Sequence, residues 1–418
     1  MRLLRGRASP LRDLPPEVRA LIGVAFMVAL GFGLVAPALP LFAREFGVGK
    51  AAAGAVVSAF ALMRLLMAPF VGRLVNRLGE RVLLATGIGV VAVSSLLAGL
   101  AQNYWQLLVL RGVGGIGSIM FSVSAASLLV RVTPSHLRGR AQGVWAGSFL
   151  IGLIAGPAVG TIATFSLRLP FFLYAGTLVV AGLLALGALR HSELAARNAV
   201  RTAPLPLRAA MRNRAYLAAL GASFAGDFAL VGARSAIVPQ FVHDRLHLSP
   251  GWSYAAFLVI SIVSGILLLP VGRIADTRGR RPVIAVGLLV GAAAFVLLPA
   301  VPVAIGLLVG AVLLGVAGAS DSVAPGAVMG DVVEGTGGTV VAVFQMSGDL
   351  GAVVGPVAAG WVADAAGYPA TFALCAAVCA LPVLAVVTAP ETLRPASVAA
   401  PRSAPSPAEA QHPASDVS

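Results

Sequence analysis

The sequence predicts an all-α membrane protein with twelve transmembrane helices arranged as two pseudo-symmetric six-helix bundles. First, 58% of the 418 residues are apolar and only 11% are charged, whereas a soluble domain has about 45–50% apolar and about 25% charged residues. Second, the apolar residues form continuous runs of about 20, the length that a helix needs to cross a bilayer. Third, a ten-residue pattern occurs twice, 200 residues apart. Together these observations indicate a duplicated membrane unit.

The repeated pattern runs from Gly72 to Arg81 and again from Gly272 to Arg281. Each copy lies between two apolar runs and combines glycines, which permit close turns, with arginines, which favour the cytoplasmic side. We therefore expect two tight cytoplasmic turns. The residues predicted to form them are Gly72, Arg73, Asn76, Arg77, Gly79, Arg81, Gly272, Arg273, Asp276, Gly279, Arg280 and Arg281.

Twelve spans follow from the apolar runs and the polar or proline-containing separators between them. They are predicted at 20–42, 52–73, 82–101, 105–130, 141–164, 169–189, 215–241, 252–274, 282–300, 303–329, 339–363 and 369–389. This divides the chain into a cytoplasmic N-terminal segment 1–19, a bundle 20–189, a cytoplasmic linker 190–214, a bundle 215–389 and a disordered cytoplasmic tail 390–418. A matching proline and phenylalanine in spans 1 and 7, and matching glycines and a proline in spans 5 and 11, are offset by 199 residues, and the repeated turns are offset by 200. The two halves should therefore be related by an axis along the membrane normal.

Arginines predict the orientation in the cell (inner) membrane. With both termini in the cytoplasm, the short outer loops carry only four basic residues, and the inner loops carry many more. The outer ones are Arg44, Lys50, Arg168 and Arg245, and the inner ones are Arg73, Arg77, Arg81, Arg131, Arg138, Arg140, Arg273, Arg278, Arg280 and Arg281. The net charge of +14 is thus spread over loops, without the basic patch that binding a nucleic acid requires.

Enzyme classes are not favoured, because the sequence has no catalytic triad pattern, zinc-protease motif or phosphate-binding glycine loop. No cofactor is predicted. His243 and His247 lack a third ligand for a metal, so we interpret them as a solvated outer loop. Cys375 and Cys379 lie inside the last apolar run and are expected to be small buried side chains.

Three motifs occur in an order typical of one family. The stretch 272–281 fits G-x-L-A-D-R-x-G-R-R almost throughout, with Ile274 and Thr277 as the departures, and Arg111 begins R-x-x-x-G-x-G in span 4. Span 5 fits G-x8-G-x3-G-P-x-x-G-G, except that Thr161 replaces the last glycine; its matching residues are Gly143, Gly152, Gly156, Pro157 and Gly160. Over residues 18–390 the chain resembles the major facilitator superfamily, and within it the twelve-span drug:proton antiporters. The resemblance implies two bundles that expose a central cavity to each side of the membrane in turn.

The first repeated turn departs from the family pattern at Asn76, where an aspartate is expected. In the family that aspartate is thought to hold the inner gate closed by receiving a helix N-terminus and pairing with an arginine. Asparagine accepts a hydrogen bond but carries no charge. We therefore expect a weaker lock in the first half, with the intact Asp276 in the second.

Six charged side chains lie in the interior of the predicted spans, away from the span ends that hold Arg73 and Arg273, and a charge at the bilayer centre costs about 2.5–3.5 kcal/mol. They are Arg64, Arg111, Arg234, Asp227, Asp321 and Asp349. Counted at about 1.5 Å per residue, Arg64 of span 2 and Asp349 of span 11 lie at similar depth, and the resemblance places these spans opposite each other. We predict an ion pair between them, either a permanent structural pair or one that breaks during transport.

Asp227 lies near the midplane of span 7, with Arg234 seven residues, or two turns, further along the same face. A movable arginine would switch a buried carboxylate between its two protonation states, so Asp227 is the first candidate for proton coupling; a static pair is the alternative. Asp349 takes this role if Arg64 does not pair with it. Asp321, close enough to the cytoplasmic end of span 10 to reach water, ranks third. Arg111 either takes part in proton transfer, as the resemblance implies, or is a structural arginine bonded to backbone carbonyls.

The span 5 motif has no ionisable group, so its role is geometric. Small residues let helix backbones approach closely, and Pro157 bends its helix. Gly351, Gly355 and Pro356 should act in the same way in span 11. Packing and hinge roles both remain open.

The leading hypothesis is a secondary active transporter that exports hydrophobic or amphiphilic small molecules in exchange for protons. Its cavity should be mostly apolar, which favours broad substrate choice; the candidate lining residues are Phe26, Phe32, Met120, Phe121, Phe224 and Phe228. The alternative is a narrow-specificity transporter of a sugar or amino acid, and a third is a non-transporting receptor or assembly partner. We expect the chain to act as a monomer whose partners are the bilayer, protons and a small-molecule substrate.

Overall fold

The computed structural model describes residues 14–133, 138–161, 165–189, 207–332 and 338–393. Within these ranges the chain forms helices and no strand. Span 1 comprises Pro16–Val35 and Leu39–Arg44, and the next five are Lys50–Leu78, Glu80–Gly99, Tyr104–Val132, Arg138–Gly160 and Leu169–Leu189. After the short helix Leu207–Ala210, span 7 comprises Arg214–Gly226, Asp227–Ala233 and Arg234–Asp244; then follow Pro250–Arg278, Arg280–Ala300, Ala304–Val332 and Gly338–Thr388. Most of the predicted linker and tail lies outside the described residues.

Within the described ranges, eleven helical stretches are long and apolar enough to cross a membrane, and the last of them supplies two crossings. Gly338–Thr388 has 51 residues, or about 77 Å of helix, against a hydrocarbon core of about 30 Å. It bends at Gly367, whose φ of 80° and ψ of 179° lie in a backbone region essentially reserved for glycine. Residues before Gly367 form span 11 and those after it form span 12. The twelve-span fold class is therefore confirmed.

The two repeated turns are shorter than predicted. Gly79 alone, with φ of 80°, separates spans 2 and 3, and Gly279, with φ of 110°, separates spans 8 and 9. Gly72 and Gly272 lie inside the helices and do not form the turns. The prediction that spans 2 and 8 end near 73 and 274 is wrong because long arginine side chains reach water from the last helical turn. The helix dipole also stabilises basic groups near the C-terminal end of a helix.

Span 7 contains an irregular segment that hydropathy does not reveal. Asp227–Ala233 is a seven-residue π-helix between two α-helical parts. Insertions of this type are frequent at functional sites. The corresponding part of span 1 is α-helical, and that span is interrupted later, between Val35 and Leu39. The two halves thus differ in backbone conformation at Asp227, the acid at which the π-helix of span 7 begins.

Each half packs around its own buried core. Span 1 packs against spans 5 and 6, and span 10 packs against spans 8 and 9. The halves meet where span 2 contacts span 11 and where span 5 contacts span 8, pairs that the repeat interconverts. We call the side on which spans 2 and 3 connect the termini face, because span 1 begins and span 12 ends there. The opposite side is the distal face.

Candidate functional site

An ion pair on the distal face joins equivalent positions of the two halves. Arg44 ends the helical part of span 1, and Asp244 ends span 7, 200 residues later. Nη1 of Arg44 donates to Oδ2 of Asp244 at 2.5 Å. The Tyr368 hydroxyl donates to the same oxygen at 2.6 Å, and Nδ1 of His243 lies 3.1 Å from the other. The repeat thus brings opposite charges together across its own axis.

Asp364, at the distal end of span 11, caps the start of span 2 in the other half. Its carboxylate accepts hydrogen bonds from the backbone N–H groups of Lys50 at 3.0 Å and Ala51 at 2.8 Å. Gly49 stands at the N-cap position without a capping side chain, so Asp364 satisfies donors that the helix leaves free. Lys50 Nζ also lies 3.7 Å from Asp364 and over the Tyr368 ring. The first turn of span 2 is therefore completed by the second half.

We call Arg44, Lys50, Asp244, Asp364 and Tyr368 the distal cluster. Deeper contacts continue from it: Ser58 donates to the carbonyl of Val353 at 2.6 Å, and Tyr254 donates to that of Leu34 at 3.2 Å.

Among the described residues, the hydrogen bonds and ion pairs that join the halves lie on the distal side of the midplane. The structure is therefore in a conformation whose distal face is closed. Arg44 and Lys50 were predicted only as basic residues of the outer loops; the opposite charges of Arg44 and Asp244, 200 residues apart, were the sequence signal for their ion pair.

On the termini face, ion pairs form within each half. Glu80 of span 3 pairs with Arg131 of span 4. At positions 200 residues later, Nε of Arg280 lies 3.2 Å from Oδ2 of Asp331. The same bridge between helices thus recurs with its charges exchanged. Arg280 also pairs with the exposed Asp276, so Asp276 contacts its own half in this conformation.

The chain that follows span 12 returns to the start of span 9. Glu391 accepts hydrogen bonds from the backbone N–H groups of Arg280 at 2.9 Å and Arg281 at 3.2 Å. Burial acts to raise the pKa of Glu391, but backbone hydrogen bonds from Arg280, Leu393, Arg281 and Thr392 hold it below its ordinary value. Since Gly279 supplies no capping side chain, Glu391 caps span 9 as Asp364 caps span 2.

The remaining turn residues are mostly exposed. Arg77 and Arg273 face solvent, Arg81 is half-buried, and the guanidinium of Arg73 lies 5.9 Å from the Phe70 ring. Arg281 donates to the carbonyl of Val387. The side chain of Asn76 lies outside what the structure describes, so its weaker lock stays a prediction.

The expected ion pair between Arg64 and Asp349 is not formed in this conformation. Nη1 of Arg64 donates to Ser118 Oγ at 2.8 Å and lies 3.4 Å from Ser122 Oγ, both on span 4 of the same half. Asp349 is half-buried on span 11, and the described residues show no ion pair between it and Arg64. Two serine hydroxyls thus satisfy the arginine while the distal face is closed.

Asp227 is not paired with Arg234. The guanidinium of Arg234 lies 5.2 Å from the Phe257 ring of span 8. Hydrogen bonds from residue i to i+5 widen each turn between the two residues, so seven residues no longer make two α-helical turns. The Asp227 carboxylate instead lies against Gly348 of span 11. The static pair within span 7 is therefore absent here.

Asp321 does not extend toward the termini face as expected. Its carboxylate lies against Gly226 of span 7 and lines a small, mostly apolar cavity with Leu230, Ile284 and Leu288. The cavity offers about 10 Å³ to the centre of a water molecule, which is close to the minimum for one water. The Asp227 carboxylate thus faces span 11, and the Asp321 carboxylate of span 10 lies against the preceding residue of span 7, where the π-helix begins.

Arg111 is buried in the first half. Its guanidinium lies 4.6 Å from the Phe60 ring of span 2. Its Nε has no hydrogen-bond partner among the described residues. The contact that the structure shows is stacking on an aromatic ring; bonding to backbone carbonyls, one of the two predicted alternatives, is not seen among the described residues, and a part in proton transfer stays a prediction.

The span 5 motif packs as expected at two of its glycines. A methyl group on Gly152 would lie 2.5 Å from the Phe26 carbonyl oxygen, and one on Gly156 would lie 2.6 Å from that of Leu30. Span 1 therefore approaches the backbone of span 5, beside Pro157. Gly143, by contrast, lies in open space, and Gly160 lies against the Tyr254 ring of the other half. Only part of the motif thus serves packing within its own half.

Two of the six predicted cavity residues are core residues. Phe121 is 5% exposed and Phe228 is 4% exposed, so neither lines a cavity in this conformation. Phe32 is exposed, and Phe26, Met120 and Phe224 are half-buried. Hydropathy finds apolar positions but does not separate the faces of a helix that is apolar all round.

Comparison with known proteins gives findings at three levels. A family model described as Major Facilitator Superfamily matches residues 21–268 and 236–415. The chain is 32% identical over 154 residues to the quinolone resistance protein NorA of Staphylococcus aureus (strain MRSA252), a segment covering 37% of this chain and 39% of NorA. It is 31% identical over 169 residues to multidrug resistance protein 1 of Bacillus subtilis (strain 168), covering 40% of this chain and 43% of that protein. The matched segment thus spans about two fifths of these relatives. The crystal structure of the nucleoside transporter NupG matches with a TM-score of 0.72 and 14% identity over 89% of this chain and 98% of that one, which shows a shared fold alone.

Proposed function

The chain belongs to the Major Facilitator Superfamily, and on this premise we propose that it exports hydrophobic or amphiphilic small molecules in exchange for protons. In this proposal the protein is a monomer in the cell (inner) membrane, with both termini in the cytoplasm. Its two bundles comprise residues 20–189 and 215–389. The distal face is then the outer face. The names of the two relatives, quinolone resistance and multidrug resistance, support export of drug-like molecules.

The observation that carries the proposal is the one-sided contact between the halves. Hydrogen bonds from Ser58 and Tyr254 and the distal cluster connect them on one side, while ion pairs on the termini face stay within each half. Transport by alternating access requires the distal contacts to break and contacts on the termini face to form. The Arg64–Asp349 pair is one candidate for the second set.

Proton coupling is proposed for Asp227 first, with Asp321 and Asp349 as further candidates and Arg111 as a buried cation near the path. Asp227 begins the π-helix of span 7. We expect this part of span 7 to move relative to the other half during transport. A carboxylate that meets water on one side and apolar surroundings on the other changes its proton affinity. That change is what couples proton movement to conformation.

The test compares cells with and without the protein in a susceptibility panel of unrelated lipophilic drugs, dyes and detergents. Wild type should lower susceptibility to several classes. Asp227→Asn should remove this protection at equal protein level, and Glu45→Gln, which changes an exposed acid, should keep it. Protection against none of the compounds, with saturable transport of one sugar or amino acid, would support the narrow-specificity alternative instead.

A further inference from the structure

Two intramembrane carboxylates lie against glycines of neighbouring helices. A methyl group on Gly348 would overlap Oδ2 of Asp227 and would lie 3.2 Å from its Cγ and 3.0 Å from Ser223 Oγ. A methyl group on Gly226 would overlap the Asp321 carboxylate, with Oδ2 at 2.7 Å. Any side chain at either glycine would therefore displace the acid from the position that it occupies.

Backbone freedom does not explain these glycines. Gly226 has helical φ and ψ of −59° and −54°, which every residue adopts easily. A glycine inside a helix costs about 0.5–1 kcal/mol relative to alanine. What glycine provides here is the space that the carboxylate fills.

The two contacts meet at one point of span 7. Gly226 is the last residue of its first α-helical part, and Asp227 is the first residue of the π-helix. One carboxylate therefore faces span 11 and the other approaches from span 10. Arg64 and Asp349 act electrostatically on Asp227, and Asp227, Arg234 and Cys379 are the titratable or charged groups around Asp321.

We propose that Gly226 and Gly348 are positioning residues for proton coupling, each holding one acid against bare backbone as span 7 moves. This inference rests on the proposed function. The step that they serve is a proton transfer, in which a carboxylate gains a proton from water on one side and releases it on the other. Neither glycine touches the proton; each fixes the atom that carries it.

The test is Gly348→Ala and Gly226→Ala in proteoliposomes, with ethidium as the transported probe. Gly351→Ala is the matched control in span 11, because its methyl group would lie 2.3 Å from the carbonyl oxygen of Phe224 and 2.8 Å from the backbone nitrogen of Phe228, and is near no carboxylate. Gly221→Ala is the control in span 7, where the nearest atom is 3.7 Å away. Ethidium flux is measured down its own gradient and, separately, against it under a pH gradient.

We expect the two test variants to keep downhill flux. Their gradient-driven flux should fall about tenfold, which is the change in proton affinity that a shift of one pKa unit represents. Gly351→Ala should lower both fluxes in proportion, and Gly221→Ala should change neither. A wild-type ratio of the two fluxes in Gly348→Ala and Gly226→Ala would overturn the positioning role. Absence of gradient-driven flux in wild type would overturn the proposed function itself.

A folding defect in Gly348→Ala would also test the inference, because its cause can be identified by a second substitution. If Gly348→Ala lowers the thermal midpoint, the overlap with Asp227 is the expected cause, and adding Asp227→Ala should restore the midpoint. No restoration by this second change would overturn the inference, because the methyl group would then act through backbone packing alone.

Discussion

Asp364→Ala should shift the conformational equilibrium of the two halves. The substitution removes hydrogen bonds to the backbone N–H groups of Lys50 and Ala51 and the ion pair with Lys50 Nζ. Loss of a helix N-cap costs about 0.5–2 kcal/mol, and a partly exposed ion pair adds at most about 1 kcal/mol. Because these contacts cross between halves, the loss falls on the distal-closed conformation and not on either bundle.

We therefore expect a destabilisation of about 1–2 kcal/mol, which changes a population ratio about 5- to 30-fold. Spin labels at Gln102→Cys and Val303→Cys, exposed distal positions in different halves, report the separation by pulsed dipolar spectroscopy. Asp364→Asn keeps an acceptor for the helix start and should fall between wild type and Asp364→Ala. Identical distance distributions for wild type and Asp364→Ala, with equal thermal stability, would show that the cap does not hold this face closed.

Three other predictions concern the spans and the termini face. Arg64→Ala and Asp349→Ala should each impair transport more than the double variant, because in the conformation proposed to pair them a lone buried charge costs about 3–5 kcal/mol; exchanging the two charges should recover part of the loss, and a coupling energy near zero in the double-mutant cycle would show that the residues never meet. Asn76→Asp should change the transport rate and cysteine accessibility from the two sides more than it changes thermal stability, whereas unchanged accessibility refutes the missing-charge argument. The stabilisation by Glu391 over Glu391→Gln should be full above its ordinary pKa of about 4.3 and should vanish as the pH falls through its lowered pKa; a difference in thermal midpoint that persists unchanged at pH 3 is the contrary result.

The twelve spans were predictable because continuous apolar runs and an offset of 200 residues are properties of the chain itself. The cap that Asp364 gives to Lys50 was not, since it joins positions 314 residues apart. The π-helix after Gly226 also escaped, because it leaves the composition of span 7 unchanged. Phe228 was misplaced for a related reason: an apolar residue on a helix that is apolar all round carries no sign of which face turns to the core.

The intramembrane charges, too, were predictable from the sequence only in part. Their presence in the spans is visible in the sequence, but the hydrogen bond between Arg64 and Ser118 is not. Ser118 accepts a hydrogen bond from Arg64 in the distal-closed conformation, and the ion pair with Asp349 stays a prediction for a conformation closed on the termini face. Sequence reasoning found residues that need partners and did not determine which partner each state supplies.

Simultaneous recording of proton and ethidium movement in proteoliposomes tests the central claim most directly. With purified wild-type protein, an imposed ethidium gradient should drive protons in the opposite direction, and Asp227→Asn should abolish this proton movement. Ethidium transport by wild type without any opposing proton movement would contradict proton-coupled exchange.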